Sequence, residues 1–455
     1  MAMFSGIRTK RSIGLTSVQL IVLFYVVAVT ISTILLSLPI SLRPGVDLPI
    51  IDAMFTAASG VSVTGLTVVN TAATFSVVGY FILAFVLQIG GVGIMTLSTL
   101  FWLLLGKKIG LKERQLIMTD QNMPVLSGLV RLMRNILGLI VIIEAIGALT
   151  LGVYFLNVYP TWQEAFLQGF FLSVSATTNA GFDITGNSLI PFADDYFVQF
   201  ITILLMTLGA IGFPVLIEVK EYLFSRSEDT VNFRFTLFTK LTTVTYFVLV
   251  VFGTIMIIVL EYNHFFADKT WHKSFFYALF NSVTTKSGGL ATMDASLFSE
   301  PTQLLISALM FIGASPSSVG GGIRTTTFAL VILLIFTFAR GRTTVKVFGR
   351  EVYQSDQIKA VVVTMVAIVL CFSSVIVLSI TEHFDLMLII FEVASAFGTN
   401  GLSLGITPQL STIGKFIIMF LMVVGRIGIL SFLFLIRGNL VEEKYHFPKE
   451  RVIIG

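Results

Sequence analysis

Four short polar loops hold the residues with the clearest chemical potential. They read GVSVTGL (60–66), ATTNAGF (176–182), TTKSGGL (284–290) and GTNGL (398–402). With Gly65, Gly181, Gly288 and Gly401 taken as the register, they recur a little over a hundred residues apart. Six residues before each glycine stands a serine: Ser59, Ser175, Ser282 and Ser395. Ten before it stand Phe55, Phe171 and Phe391, with Ala278 the exception. Such loops offer backbone oxygen. Glycine permits the angles that turn successive carbonyls the same way, and ringed carbonyls replace the hydration shell of a desolvated cation. On this register the carbonyls are those of Val63 and Thr64, Asn179 and Ala180, Lys286 and Ser287, and Thr399 and Asn400. The Lys286 ammonium would repel a cation. Its side chain is therefore expected to turn back into the protein or toward the outer surface, leaving only its carbonyl in play. For one loop, glycine for close helix packing is the plainer reading. Four in register with the serines argue against it.

The elements that must position these loops follow from composition. Of 455 residues, 55% are hydrophobic and 12% charged, and the mean hydropathy is +0.94. A soluble domain carries about 25% charged residues, so this chain lacks the charge for a water-exposed surface. Apolar runs of span length fall near 16–40, 76–105, 135–156, 196–219, 239–260, 303–338, 358–381 and 411–436. The basic N-terminus leads into a run too long for a signal peptide and is read as retained. Between paired runs lie shorter half-apolar stretches, each ending in one of the loops. They are too short to cross and suit re-entrant helices. Asp52, Glu164 and Asp385 near three of their starts are expected to cap free N–H groups, and Thr270 to cap the third. Four tandem units result: repeat 1 at 15–106, repeat 2 at 128–224, repeat 3 at 236–340 and repeat 4 at 357–438, with a cytoplasmic tail at 439–455. Of 29 Lys and Arg, 22 sit at the termini and between units. By the positive-inside rule both termini are cytoplasmic and the loops open outward. The single Cys371 excludes an internal disulfide, and the four histidines have no metal spacing.

One repeat departs from the rest. Gly90, Gly209, Gly313 and Gly425 occupy matching places in the second spans, and Gly93, Gly212 and Gly428 follow three residues later in three of them. The third reads GASPSSVGGGIRTTT (313–327). Pro316 removes a helix hydrogen bond, and Gly320, Gly321 and Gly322 hold a helix poorly. An unwound intramembrane loop is expected there, in this repeat only. Its residues Gly313, Ala314, Ser315, Pro316, Ser317, Ser318, Gly320, Gly321 and Gly322 are small and could block a pore yet move readily. Arg426 sits deep in the last span. A charge at that depth is expensive and marks function by default. In register it falls beside Gly313 and Ala314, where it would bind loop carbonyls or add a positive barrier. A passive kink and a structural arginine are the bland alternatives.

The repeated span–pore helix–span unit, with one glycine per loop, resembles the Trk/Ktr/HKT superfamily of K⁺ transporters over about 15–440. The short N-terminus and tail look most like the KtrB type, the membrane subunit of bacterial Ktr uptake systems. The resemblance implies an all-α polytopic membrane protein with about eight transmembrane helices and four re-entrant pore helices around a central K⁺-channel-like pore. It implies K⁺ uptake through the loops, with Na⁺ as a second candidate ion, and an intramembrane gate in repeat 3. It further implies a bacterial cytoplasmic-membrane location, a homodimer and a cytosolic ring of nucleotide-binding, RCK-type regulatory subunits. The chain itself has no nucleotide motif, so any nucleotide belongs to the partner, and no cofactor or nucleic acid is expected. Glycine in all four loops fits the K⁺-selective members. Two further alternatives stand: a secondary transporter for another solute, which commonly uses inverted repeats and intramembrane acids, and a Na⁺-preferring member. An enzyme is not expected, because the spans hold no catalytic cluster.

Overall fold

The computed structural model describes residues 16–93, 129–224 and 233–437, with a few isolated positions elsewhere. The connector near 106–128, the lower part of the first repeat's second span and most of the tail lie outside the described residues. So do 10 of the 22 basic residues used to orient the chain.

Four long helices lead the repeats: α1 (Ser17–Leu36), α5 (Leu129–Phe155), α9 (Leu237–Glu261) and α13 (Gln354–Thr381). Each is long and apolar enough to cross a membrane. Their outward faces present Ile34, Ile146, Val259 and Ile380, as lipid-facing helices should. To number the remainder in chain order, repeat 1 holds α2 (Ile50–Ser62), a one-turn α3 (Thr71–Thr74) and α4 (Val77–Val92). Repeat 2 holds α6 (Trp162–Thr177), α7 (Tyr196–Ala210) and α8 (Phe213–Phe224). Repeat 3 holds α10 (Trp271–Thr284), α11 (Glu300–Ile312) and α12 (Thr325–Ala339). A two-residue hairpin, Lys346–Val347 with Arg350–Glu351, precedes repeat 4. That repeat holds α14 (Leu386–Gly398), α15 (Thr412–Ile427) and α16 (Ile429–Arg437).

The re-entrant helices α2, α6, α10 and α14 run 13, 16, 14 and 13 residues. Their C-terminal halves are buried, and all end at the polar loops. The expected carboxylate caps are not made. Pro49 stands at the α2 N-cap, while Asp52 lies in the first turn and pairs with Lys415 at 2.6 Å. Thr161 caps α6, its hydroxyl accepting from the Glu164 N–H. Asp385 and Thr270 hold N-cap positions without a side-chain bond to a helix N–H; the Thr270 hydroxyl instead meets the His272 ring at 3.2 Å. A carboxylate near a helix start gains from the dipole without bonding an N–H, so spacing alone did not select the capping atom.

The second spans correct a larger expectation. The third repeat is not alone in breaking. Between α7 and α8 the axis turns by 105°, and between α15 and α16 by 104°. Both turns sit at a positive-φ glycine, Gly212 (φ 106°) and Gly428 (φ 91°). α4 likewise ends at Gly93 (φ 91°). These are the glycines three residues beyond Gly209, Gly425 and Gly90, and only glycine reaches such angles without strain. Repeat 3 differs in the length of its break, residues 313–324, after which α12 begins. Thr325–Thr327 are therefore helical.

Candidate functional site

Each re-entrant helix delivers its loop through one left-handed residue. Val63 (φ 56°), Asn179 (φ 49°), Ser287 (φ 78°) and Thr399 (φ 45°) share it. Two residues on, Gly65, Gly181, Gly289 and Gly401 have φ of 92°, 68°, 70° and 97°. These four glycines meet. A Cβ on Gly65 would lie 2.5 Å from the Ala180 carbonyl oxygen and 2.9 Å from the Gly181 Cα. One on Gly181 would lie 2.9 Å from the Gly289 Cα, one on Gly289 would strike the Asn400 carbonyl, and one on Gly401 the Thr64 carbonyl. The contacts run in chain order around a closed ring, and three of them involve the carbonyl just before a glycine.

In the third loop the ring member is Gly289, whereas the sequence register selected Gly288. Gly288 faces Met206 and Thr284 and lacks a positive φ. The step from loop-supporting hydroxyl to ring glycine is one residue shorter in this repeat, five from Thr284 to Gly289 against six in the other three. Ser282 accounts for the misreading. Its hydroxyl donates to the Val250 carbonyl at 2.7 Å, as Ser173 donates to Glu144 at 2.8 Å. It packs one helix on another and does not support the loop. Thr284 does that work: its hydroxyl donates to the Leu290 carbonyl at 2.7 Å, as Ser175 donates to Phe182 at 2.6 Å. Ser59 and Ser395 serve the loops from the other direction, accepting from the Gly65 and Gly401 N–H groups at 3.0 and 3.1 Å. With Gly289 in register, Leu290 matches Leu66, Phe182 and Leu402, and the pair flanking the glycine on its N-terminal side becomes Ser287 and Gly288. The Lys286 side chain turns into the protein, its ammonium 3.4 Å from the Leu309 carbonyl.

Beneath this ring lies the unwound segment 313–324. It is a compact loop, bonded at both ends and in the middle. The Ala314 N–H donates to Gly321 at 3.2 Å, and the Arg324 N–H to Ile312 at 2.9 Å. Ser315 and Val319 donate to Ala210 and Gly209, and Phe213 donates to Ser317 at 2.8 Å, so the loop is stitched to the repeat 2 hinge. Toward the ring, the Ser287 hydroxyl accepts from the Gly321 N–H at 3.3 Å and donates to the Thr399 carbonyl at 2.5 Å. A Cβ on Gly320 would strike Ser287, and one on Gly321 would lie 2.6 Å from Thr399 Oγ1. Gly313 (φ 70°) and Gly322 (φ 85°) back onto one another, and Ser318 closes a turn on Ser315 at 2.6 Å. Pro316 faces Gly212.

Two arginines hold this loop. Arg426 Nη1 donates to Ser318 and Val319, and Nη2 to Gly90 and Gly91. Its neighbours are thus the far limb of the loop and the repeat 1 hinge, not Gly313 and Ala314. Arg324 went unrecognised in the sequence. It donates to Ser315 and Gly320 and reaches the Arg426 carbonyl at 3.4 Å. The signal was present, since a charge two residues after three glycines in a span invites the same suspicion as Arg426. The arrangement suits a desolvated cation: carbonyls without acids in the ring, negative helix ends behind it, and two positive charges below. No group of three or more His, Cys, Asp or Glu that could hold a metal occurs among the described residues.

Comparison with known proteins bears on this geometry. The family model described as TrkH, a cation transport protein, matches residues 14–445. Ktr system potassium uptake protein D of Bacillus subtilis (strain 168) is 62% identical over 97% of this chain and 98% of its own. Ktr system potassium uptake protein B of the same organism is 35% identical over 97% of each. The crystal structure of the potassium transporter TrkH from Vibrio parahaemolyticus superposes with a TM-score of 0.73 at 19% identity, covering 95% of this chain and 87% of that one. That likeness shows a shared fold.

Proposed function

The chain belongs to the TrkH family of cation transport proteins, and on that premise we propose that it moves K⁺ into the cell through the ring of Gly65, Gly181, Gly289 and Gly401. It is a multi-pass membrane ion transporter and not an enzyme. The single observation that carries the finer reading is the mutual approach of the four loop backbones, which leaves no room for a Cβ on any ring glycine. Carbonyls of Val63, Thr64, Asn179, Ala180, Ser287, Gly288, Thr399 and Asn400 supply the filter, with Gly288 taking the place first given to Lys286. The loop 313–324 is the gate, latched from below by Arg324 and Arg426 and from above by Ser287. While it is bonded to the repeat 2 hinge it lies across the path, and the two guanidinium charges oppose a cation there.

Control of the gate is assigned to a cytosolic nucleotide-binding ring, acting on a homodimer of this chain. The support is chemical and nominal. The chain has no nucleotide motif, and its relatives are named as parts of a Ktr system. Na⁺ enters as a second ion through a further relative, the potassium/sodium uptake protein NtpJ of Enterococcus hirae, 34% identical over 97% of this chain. The test is Rb⁺ and K⁺ flux into liposomes holding the purified chain, with and without Na⁺. Flux that saturates with K⁺ and falls on substitution of a ring glycine is the expected result. A protein that moves neither ion refutes the reading.

A further inference from the structure

A cavity of about 150 Å³ lies beside the gate loop, between repeats 1 and 4. Its volume is well above the roughly 30 Å³ share of one water. Arg324 and Arg426 both line it, and no carboxylate does. Two helices also begin at its wall. Thr326 and Thr327 belong to the first turn of α12, and Ile429, Leu430 and Ser431 to the first turn of α16. The first N–H groups of a helix have no partner within it and carry the positive end of its dipole. Among the described residues nothing accepts from the N–H of these five, and the Thr326, Thr327 and Ser431 hydroxyls make no hydrogen bond. Arg426 is nine-tenths buried, and its Nε has no partner. Four sources of positive potential thus converge where no acid balances them. Burying charge without a counter-charge is costly.

The geometry points to an anion site: the cavity takes a phosphate-type oxyanion, bound by the N-termini of α12 and α16 with Arg324 and Arg426. Helix N-termini bind phosphate groups through their free N–H donors, and guanidinium groups pair well with phosphate oxygens. A tetrahedral oxyanion has enough acceptors to meet donors arriving from several sides. Its source is either free phosphate or the headgroup of an anionic lipid. A headgroup would have to enter past α1 and α13, whose buried Tyr25 and Val363 form part of the wall. Those helices expose Phe24, Val26, Val361 and Met365 on their outer faces. A bound oxyanion would tie together the two arginines that hold the loop. That consequence rests on the gate reading, but the binding itself does not.

The test uses the purified full chain, stripped of lipid, with thermal unfolding as the readout. Phosphate is titrated against chloride at matched ionic strength, and phosphatidylglycerol against phosphatidylcholine in mixed micelles. A ligand bound to the folded state raises the midpoint, here by about 2–4 °C at saturation. A rise with phosphate identifies the free ion, and a rise with phosphatidylglycerol alone identifies the headgroup. Ser431→Glu and, separately, Thr327→Glu place a carboxylate in the cavity and are expected to abolish the rise. No rise in either arm overturns the proposal, and so does a rise that persists in whichever glutamate variant folds. Rb⁺ flux of the wild-type protein, measured alongside, tells whether the transport reading stands independently.

Discussion

Gly289→Ala should damage transport far more than Gly288→Ala, although the two residues are adjacent and chemically identical. At Gly289 the new methyl group meets a φ of +70°, the Asn400 carbonyl oxygen and the Gly181 Cα at 2.7 Å. A left-handed alanine costs roughly 1–2 kcal/mol, and backbone on two other loops cannot move aside without deforming the ring, so about 2–3 kcal/mol in total is expected. If that strain falls on the ion-binding conformation, flux drops roughly 30- to 150-fold. At Gly288 the φ is ordinary. The obstacles there are the sulfur of Met206, a flexible side chain, and Thr284 at 3.0 Å. Met can swing away, and the penalty should stay near 1 kcal/mol, or under tenfold. The assay is Rb⁺ influx into K⁺-uptake-deficient cells, with each variant's rate normalised to its amount in the membrane. A severe Gly288→Ala beside a mild Gly289→Ala would restore the register read from the serines and remove Gly289 from the ring.

Three further outcomes follow from the gate and from the closure of the ring. Arg426→Gln removes the charge and weakens contacts to four carbonyls. At about 2 kcal/mol for charged hydrogen bonds the loop should be released some thirtyfold more often, read as Rb⁺ leak without any regulatory partner. Gly321→Ala pushes a methyl toward Thr399 Oγ1 at 2.6 Å and should also raise leak, whereas unchanged leak in both variants would deny the loop its gating role. Lys415→Met breaks the pairing with Asp52, a contact largely shielded from solvent. Stranding the carboxylate should destabilise the protein by about 1–3 kcal/mol, seen as a lower thermal midpoint, with the K⁺ to Na⁺ flux ratio of the surviving protein unchanged.

How much of this was legible in the sequence varies by element. The membrane class, the helical architecture and the family came from apolar runs and repeated loops, features that many residues encode together. Gly65, Gly181 and Gly401 are legible because each follows its loop-supporting serine by the same six residues. Gly289 was hidden by a one-residue shortening next to a second glycine, and Ser282 fell into the vacated place by chance. Spacing cannot separate a loop-supporting hydroxyl from a helix-packing one, since that depends on where each side chain points. The hinges were visible as Gly93, Gly212 and Gly428, but a glycine in a span does not announce its φ. Helix–helix contacts on all sides decide whether it bends. The carboxylate caps failed for a related reason: Asp52 found a stronger partner on a helix that is remote in sequence.

That last contact has a consequence for how the protein is made. Asp52 and Lys415 are 363 residues apart, and Arg426 lies 336 residues beyond the Gly90 carbonyl it holds. At synthesis rates of about 5–20 residues per second, the first repeat waits roughly 20–70 s before its closing partners emerge. Through that interval a carboxylate and the hinge carbonyls of repeat 1 must be satisfied by water, lipid headgroups or a chaperone of the insertion machinery. A nascent chain truncated after repeat 3 should therefore be an early target of membrane quality control, even with three of its four loops already in place.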